Sequence, residues 1–273
     1  MRAASTRSSS GSATSLPSSR RAAASSAAAT YEITIAAADI GQGARTAITQ
    51  VAADELGAGI ARVTARIGDS GYGPAMIAGG SMGMASWSWA VAKACRQLRA
   101  QLPASLRPAE TITVRADTTS DVAALPDLLR HSFGAQFAEV RVDVDTGEIR
   151  VPRMLGVFAA GRILNPKTAR SQLIGGMTMG LSMALHEESI MNAQFGDYVN
   201  HDFAGYHIAA HADIGAIEAH WIEESDGQLN PLGVKGLGEI GIVGAAAAIA
   251  NAVWHATGRR QRHLPLIPGR ILS

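Results

Sequence analysis

One cysteine, Cys95, occurs in 273 residues. An internal disulfide is therefore excluded, as is any zinc or iron–sulfur site built from this chain's own thiolates. Charge is also scarce. Charged residues make up 17% and the formal net charge is +1, so the basic stripe that a nucleic-acid partner requires is missing. Long hydrophobic runs are short of membrane-spanning length: the longest, Gly241 to Trp254, is rich in Gly and Ala and reads as a core helix of a soluble protein, with no membrane partner. Residues 1–29 lack large apolar side chains apart from Met1 and Leu16, being nearly all Ser, Ala, Arg, Gly and Thr. Such a stretch cannot offset the entropy of ordering, so disorder is expected there. Arg20 and Arg21 evoke a twin-arginine export signal, but the Ala/Ser run after them is a poor apolar region.

What is present is globular. Hydrophobic residues make up 47%, enough to bury a core over residues 30–273, and the pattern is mixed α and β. "YEITIAAADI" alternates like a strand and ends at Gly41-Gln42-Gly43, and an amphipathic helix follows over Thr46–Leu56. Ala61–Asp69 reads as a second strand. A loop ending in Gly79-Gly80-Ser81 leads into a helix from about Met82 to Leu102, with Ser81 as the expected N-cap. "FAEVRVDV" and "EIRVPRMLGVF" form a hairpin across "DTGE". A third helix spans about Lys167–His186 with Gln172, Gly175, Gly176 and Gly180 on it; its glycines imply close packing or close approach of a ligand. A strand at Ala216–Glu224 and a last helix over Ile240–Thr257 complete the pass.

Glycine loops that feed helix starts recur at Gly41, Gly79 and Gly238. Helix starts offer unpaired N–H groups and a positive dipole end, which suit phosphates. The stretch "GVKGLGEIG" (Gly233–Gly241) admits two readings. Gly236, Gly238 and Gly241 spell the dinucleotide fingerprint G-x-G-x-x-G, but the preceding "DGQLNPLGVK" is turn sequence rather than a strand. Only thirty-two residues follow Gly241, too few for the rest of a nucleotide-binding sheet. Alternatively, the glycines let the backbone pass close to something, and Glu239 is the working group.

Taken together, four segments resemble the molybdenum-binding subunit of the xanthine dehydrogenase/aldehyde oxidase family of molybdenum hydroxylases, from about Tyr31 to Leu272. They are "DIGQGARTAITQVAADELG", "GDSGYGPAMIAGGSM", the long run from "AEVRVDVDTG" to "LHEES", and "NPLGVKGLGEIGIVGAAAAIANAVWHATG". The resemblance implies an α+β fold of the C-terminal cofactor-binding type and a molybdenum–molybdopterin cofactor, in the cytosine dinucleotide form. It also implies oxidation of an aldehyde or N-heterocycle with water as the oxygen source. Gly41, Gln42 and Gly43 would meet the pterin or its pyrophosphate, Gly79, Gly80 and Ser81 would make a second contact, and Gln172 a third. Lys235 and Gly238 fall in the motif that usually reads G-x-K-G-x-G-E, and Glu239 falls on its catalytic glutamate. No side chain ligates the metal in this family, so the lone cysteine is no objection. A carboxylate takes a proton from the metal hydroxide while hydride passes to a sulfido ligand. Among Gly, Leu and Ile that carboxylate is expected to be desolvated, as a general base requires.

The same resemblance implies partners: iron–sulfur and FAD subunits that carry electrons away, and an N-terminal half of the molybdenum subunit that precedes the part seen here. Location follows the partners, cytoplasmic or, with an exported partner subunit, periplasmic. Two positions depart from the family: Gly83 stands where relatives often have Ser or Thr, and Gly215 where many have proline. Two other readings stay open, a non-catalytic fragment that only binds a partner and, more weakly, an NADP-binding module. His201, His207 and His211 lack tight metal spacing, and Met177, Met179 and Met183 read as core filler.

Overall fold

The computed structural model of the chain describes residues 2–7, 29–103 and 111–272. The chain divides into two compact units, and both are assembled from separated stretches. Unit 1 takes Met1–Arg130, Gly161–Asn165 and Ser225–Gly236; unit 2 takes His131–Ala160, Pro166–Glu224 and Leu237–Ser273.

Unit 1 is a sheet backed by two helices. Its strands are β1 (Arg2–Arg7), β2 (Thr30–Ile35), β3 (Val63–Ile67) and β4 (Thr113–Arg115), in the order β3-β2-β1-β4. β2 and β3 run parallel from Tyr31↔Val63 to Ile35↔Ile67, which requires the crossover that α1 (Ala44–Leu56) supplies. Tyr31, Ile33 and Ile35 alternate into the core, where they meet Ile48, Val51, Ala52 and Leu56 of α1. α2 (Gly83–Gln101) is buried on most of its circumference. Trp87 and Trp89, two apart and so on different faces, are therefore both buried. A short helix, α3 (Thr119–Ala123), follows β4. Burial pushes the Cys95 thiol up to about 12, with the nearby Glu55 carboxylate adding to the effect, so this cysteine is a packing residue.

Two expectations are corrected in this unit. Composition predicts no element before residue 30, yet Arg2–Arg7 pairs antiparallel with both β2 and β4. Main-chain pairing on two sides needs no large side chain, which is what a composition argument counts. The remainder of the expected disordered stretch, residues 8–28, lies outside the described residues. Ser81 is not the cap of α2 either. Met82 holds that position and no side chain caps the helix, because Ser81 is engaged in the preceding turn.

Unit 2 carries a second sheet, β5 (Phe133–Val142), β6 (Ile149–Ala159) and β9 (Ala216–Trp221), in the order β5-β6-β9. β5 and β6 form the predicted hairpin, in register from Phe133↔Ala159 to Val142↔Ile149 with a bulge near Glu139–Arg141. At the turn, Asp143 accepts the N–H groups of Asp145 (3.0 Å) and Thr146 (2.8 Å). β9 runs parallel to β6, reached by way of α4 (Pro166–Leu185) and a small hairpin of β7 (Met191–Asn192) and β8 (Asp197–Tyr198). The last helix is divided at Gly244 into α5 (Ile240–Val243) and α6 (Ala245–Thr257), and α7 (Pro268–Leu272) follows. Ala245, Ile249 and Val253, four apart on α6, pack with Leu173, Met177 and Leu181 of α4. Contrary to the sequence reading, Ile240–Thr257 is by length and composition apolar enough to cross a bilayer. Here its apolar stripe is used on α4 and β5.

The sheet of unit 2 has one covered face. Gln136, Ala138, Val140 and Val142 of β5 are half-buried, whereas Phe133 and Phe137, on the opposite face, are 57% and 60% exposed. Met177 is buried as expected, but Met179 is 63% exposed and Met183 37%, so the three methionines are not uniformly core. Both departures from the family pattern have a local cause. A Cβ at Gly83 would lie 2.6 Å from Cη2 of Trp87, and one at Gly215 would lie 2.3 Å from the carbonyl oxygen of Pro152.

Candidate functional site

Seven of the predicted site residues fall in unit 1. Gly41-Gln42-Gly43 form the turn before α1. Gly41 has φ +111° and Gly43 +78°, conformations that favour glycine. Gln42 ties this loop to itself: its Oε1 accepts the N–H of Ile40 (2.7 Å) and its Nε2 donates to the carbonyl of Ala38 (2.8 Å). Asp39 fixes the other side. Its Oδ1 accepts from the N–H groups of Gly41 and Gly43 (3.1 Å each), and its Oδ2 from Arg45 (3.3 Å). The start of α1 is thus already occupied by the chain's own carboxylate, and an added anion there would face that charge. Around Gly41 there is open space, with nothing within 4 Å of where a Cβ would stand.

Burial pushes the Asp39 carboxyl up, but backbone hydrogen bonds from Gly41, Arg45, Gly43 and Ala44 together hold it below the usual carboxylate range. A group with a depressed folded value stabilises fully above its unfolded value, near ~3.9. That contribution is lost as pH falls through the folded one. Amide protection at Gly41–Arg45 is therefore expected to fall below about pH 4 while β2 stays protected. Asp39→Asn should abolish this pH dependence; a loop whose protection tracks β2 at every pH would contradict the role given to Asp39.

Gly79-Gly80-Ser81 form a second tight turn. Gly80 (φ +59°) and Ser81 (φ +56°) are both left-handed, Ser81 being the only non-glycine among the described residues with positive φ. Met82 N–H closes the turn on the Gly79 carbonyl at 3.2 Å, the signature of type I′. It delivers the chain to the uncapped start of α2. Against this turn runs the Lys235–Gly236 segment: a Cβ at Gly236 would stand 2.9 Å from Ser81 Cβ and 3.0 Å from its carbonyl oxygen. The sequence reading counts Lys235 among the cofactor-binding residues, holding the cofactor or orienting a loop; its side chain is only 10% exposed, 3.4 Å from the Asp226 carboxylate. Buried Asn230, which sequence reasoning missed, shapes the same loop. Its Nδ2 donates to the Val234 carbonyl (2.7 Å), and its Oδ1 accepts from Leu232 (3.1 Å) and Val234 (3.2 Å). The Asn-Pro pair was its available signal.

The other three predicted residues lie in unit 2. Gln172 is half-buried on α4, and Gly238 and Glu239 are exposed at the start of α5. α4 and α5 meet backbone to backbone: a Cβ at Gly241 would lie 2.6 Å from the Leu173 carbonyl oxygen, next to Gln172. Glu239 occupies the N-cap position (φ −110°, ψ −9°) and makes no side-chain cap bond. Its exposure corrects the expected desolvation: the neighbouring Leu237 and Ile240 pack against the core of the unit, and Glu239 does not. A further pocket of unit 2, about 400 Å³, is lined by Tyr198, Asn200, His201, Phe203 and Tyr206 and contains no predicted site residue. Among the described residues no three His, Cys, Asp or Glu side chains are placed to hold a metal ion.

Residues 8–124 and 119–215 match the family described as molybdopterin cofactor-binding domain. The chain belongs to that family. Among its relatives in the molybdopterin cofactor-binding family is the aldehyde oxidoreductase molybdenum-binding subunit PaoC of Escherichia coli, 38% identical over 260 residues. That match covers 86% of this chain and 36% of the relative. The 6-hydroxypseudooxynicotine dehydrogenase complex subunit gamma of Paenarthrobacter nicotinovorans is 32% identical over 171 residues, 60% of this chain and 21% of that one. The fold is shared with CO dehydrogenase from Oligotropha carboxidovorans at a TM-score of 0.77 and 19% identity, covering 99% of this chain and 36% of that one. It is shared also with aldehyde oxidoreductase from Desulfovibrio gigas, at 0.75 and 22%, covering 99% and 30%. The fold is accordingly α+β of the molybdenum hydroxylase type, and the chain spans roughly a third of the length of the relatives it matches.

The residues present fit a molybdopterin cofactor. The uncapped start of α2 offers backbone N–H donors to an anionic group. The Gly41 loop, open to solvent, offers a neutral hydrogen-bonding edge.

Proposed function

We propose that this chain is the cofactor-binding, base-bearing part of an oxidoreductase that hydroxylates an aldehyde or an N-heterocycle with water as the oxygen source, working within a larger complex. The observation that carries this reading is Glu239. It is a carboxylate at a helix start, exposed, not used as a cap, and set by Gly241 against the helix that bears Gln172. Molybdenum–molybdopterin, when bound, supplies the two-electron redox chemistry. The turn ending in Ser81 and the start of α2 would hold its phosphate, and the cytosine dinucleotide is the form we propose. Gln42, Gly41 and Gly43 would meet the neutral pterin edge, since Asp39 disfavours an anion at α1. Lys235 holds its loop in place beside Gly79–Ser81. Glu239 would take a proton onto a carboxylate oxygen from the attacking water-derived oxygen, and the exposed Gly238 would meet the cofactor beside it. Closure over this exposed carboxylate by substrate and neighbouring protein would supply the desolvation that a base needs. Electrons would leave through iron–sulfur and FAD groups on partner subunits. We place the assembly in the cytoplasm.

Metal analysis tests the reading. A complex containing this chain and the additional sequence that its longer relatives carry is expected to hold about one molybdenum and one cytosine nucleotide per chain. The chain alone is expected to purify without molybdenum and, through Phe133, Phe137 and the exposed Phe195 and Phe203, to self-associate and bind hydrophobic dyes. A complex with neither metal nor nucleotide would favour a partner-binding module without catalysis. A monodisperse isolated chain with stoichiometric molybdenum would overturn the expected dependence on further sequence.

A further inference from the structure

We propose that Gln136 is the positioning residue for Glu239, holding the segment that carries the carboxylate through the two carbonyls that follow it. The inference rests on the reading of Glu239 as the base. Gln136 sits on the helix-covered face of β5, opposite Gly156 of β6, a position where Leu or Met would pack without any polar cost. Its Nε2 lies 3.0 Å from the carbonyl oxygen of Gly241 and 3.4 Å from that of Ile240, the two residues directly after Glu239.

These carbonyls need a donor because the helix is broken. In an uninterrupted helix the N–H of Gly244 would bond the Ile240 carbonyl. Here Gly244 N–H turns instead to Ile242, and α5 ends after four residues with its carbonyls exposed to the break. The side-chain amide of Gln136 takes the place of the missing helical N–H. Gly244 makes room for it: a Cβ there would stand 3.0 Å from Gln136 Nε2. The other end of the amide shows what this arrangement costs, for Gln136 Oε1 is buried with no partner. Turning the amide over would set an oxygen against two carbonyl oxygens, so only this orientation serves the break. A polar group kept on a helix-covered sheet face at the expense of an orphaned acceptor has work to do on its donor side. On that side is the four-residue helix whose first turn sets where Glu239 stands.

Gln136→Met keeps the length and removes the donor. In the full chain, measured by hydrogen exchange, amides of 239–244 are expected to exchange roughly ten-fold faster or more, with the β5–β6 hairpin unchanged. In the molybdenum-loaded complex, molybdenum content should match wild type, kcat should fall roughly ten-fold, and KM should stay within about two-fold, as for a misplaced catalytic group. On a Glu239→Gln background the same substitution should lower turnover no further. Unchanged exchange at 239–244 overturns the proposal, and so does an equal fall in turnover on both backgrounds, which marks a general packing effect. Full activity in Glu239→Gln alone would instead overturn the base reading, while the exchange result still decides whether Gln136 holds the segment.

Discussion

Glu239→Gln is expected to lower turnover of the molybdenum-loaded complex by about 10²–10⁴-fold, the range for loss of a general base. The upper end is favoured because the proton leaves the attacking oxygen itself. The substitution keeps side-chain shape and hydrogen bonding, and Glu239 caps no helix, so molybdenum content and thermal stability should remain at wild-type values. Gln42→Ala should do the reverse. It removes both bonds that close the loop from Ala38 to Gln42, so cofactor occupancy falls while the occupied molecules still turn over. Measuring turnover per bound molybdenum separates the two roles. A fully active Glu239→Gln complex would refute the mechanism.

The second large effect concerns two glycines five residues apart on α4. A Cβ at Gly180 would stand 2.4 Å from the Ala245 Cβ and 3.2 Å from the Ile242 carbonyl oxygen, whereas one at Gly175 would meet nothing within 4 Å. Gly180→Ala must push α4 away from the junction of α5 and α6, and is expected to destabilise unit 2 by about 1–3 kcal/mol or more. Gly175→Ala, on an exposed helical position, should stabilise by roughly 0.5–1 kcal/mol through helix propensity and reduced unfolded-state entropy. Urea denaturation of the two variants should therefore show midpoints displaced in opposite directions. Equal displacement would mean that helix contact is not what selects glycine at position 180.

That pair also marks how far the sequence could be read. Close packing and ligand approach were both admissible reasons for glycine on this helix, and the structure assigns Gly176 and Gly180 to packing. Strands and helices with strong periodicity were legible to within a few residues, as in β2, α1, α2 and the β5–β6 hairpin. Ser81 was legible as part of a glycine turn before a helix but not as half of a left-handed pair, since positive φ in a non-glycine is imposed by its surroundings. The break at Gly244 was hidden inside an apolar run whose composition favours a continuous helix. Asp39, Asn230 and Gln136 were missed for one shared reason. Each acts on main-chain groups at a distance or in a loop, and no side-chain pattern records where a carbonyl or an N–H is left unpaired.

The discontinuous make-up of unit 1 has a consequence for how the protein is made. Leu232 and Val234 are buried in the core of that unit, together with Ile33, Ile48 and Trp87. During synthesis the earlier segments of unit 1 emerge before the later ones, yet its core stays open until Leu232 and Val234 have left the ribosome. All of α4 and the sheet of unit 2 are translated in that interval. The nascent chain therefore carries an unfinished apolar surface throughout that interval, and ribosome-bound intermediates stalled before Asn230 should be the ones that chaperones hold longest.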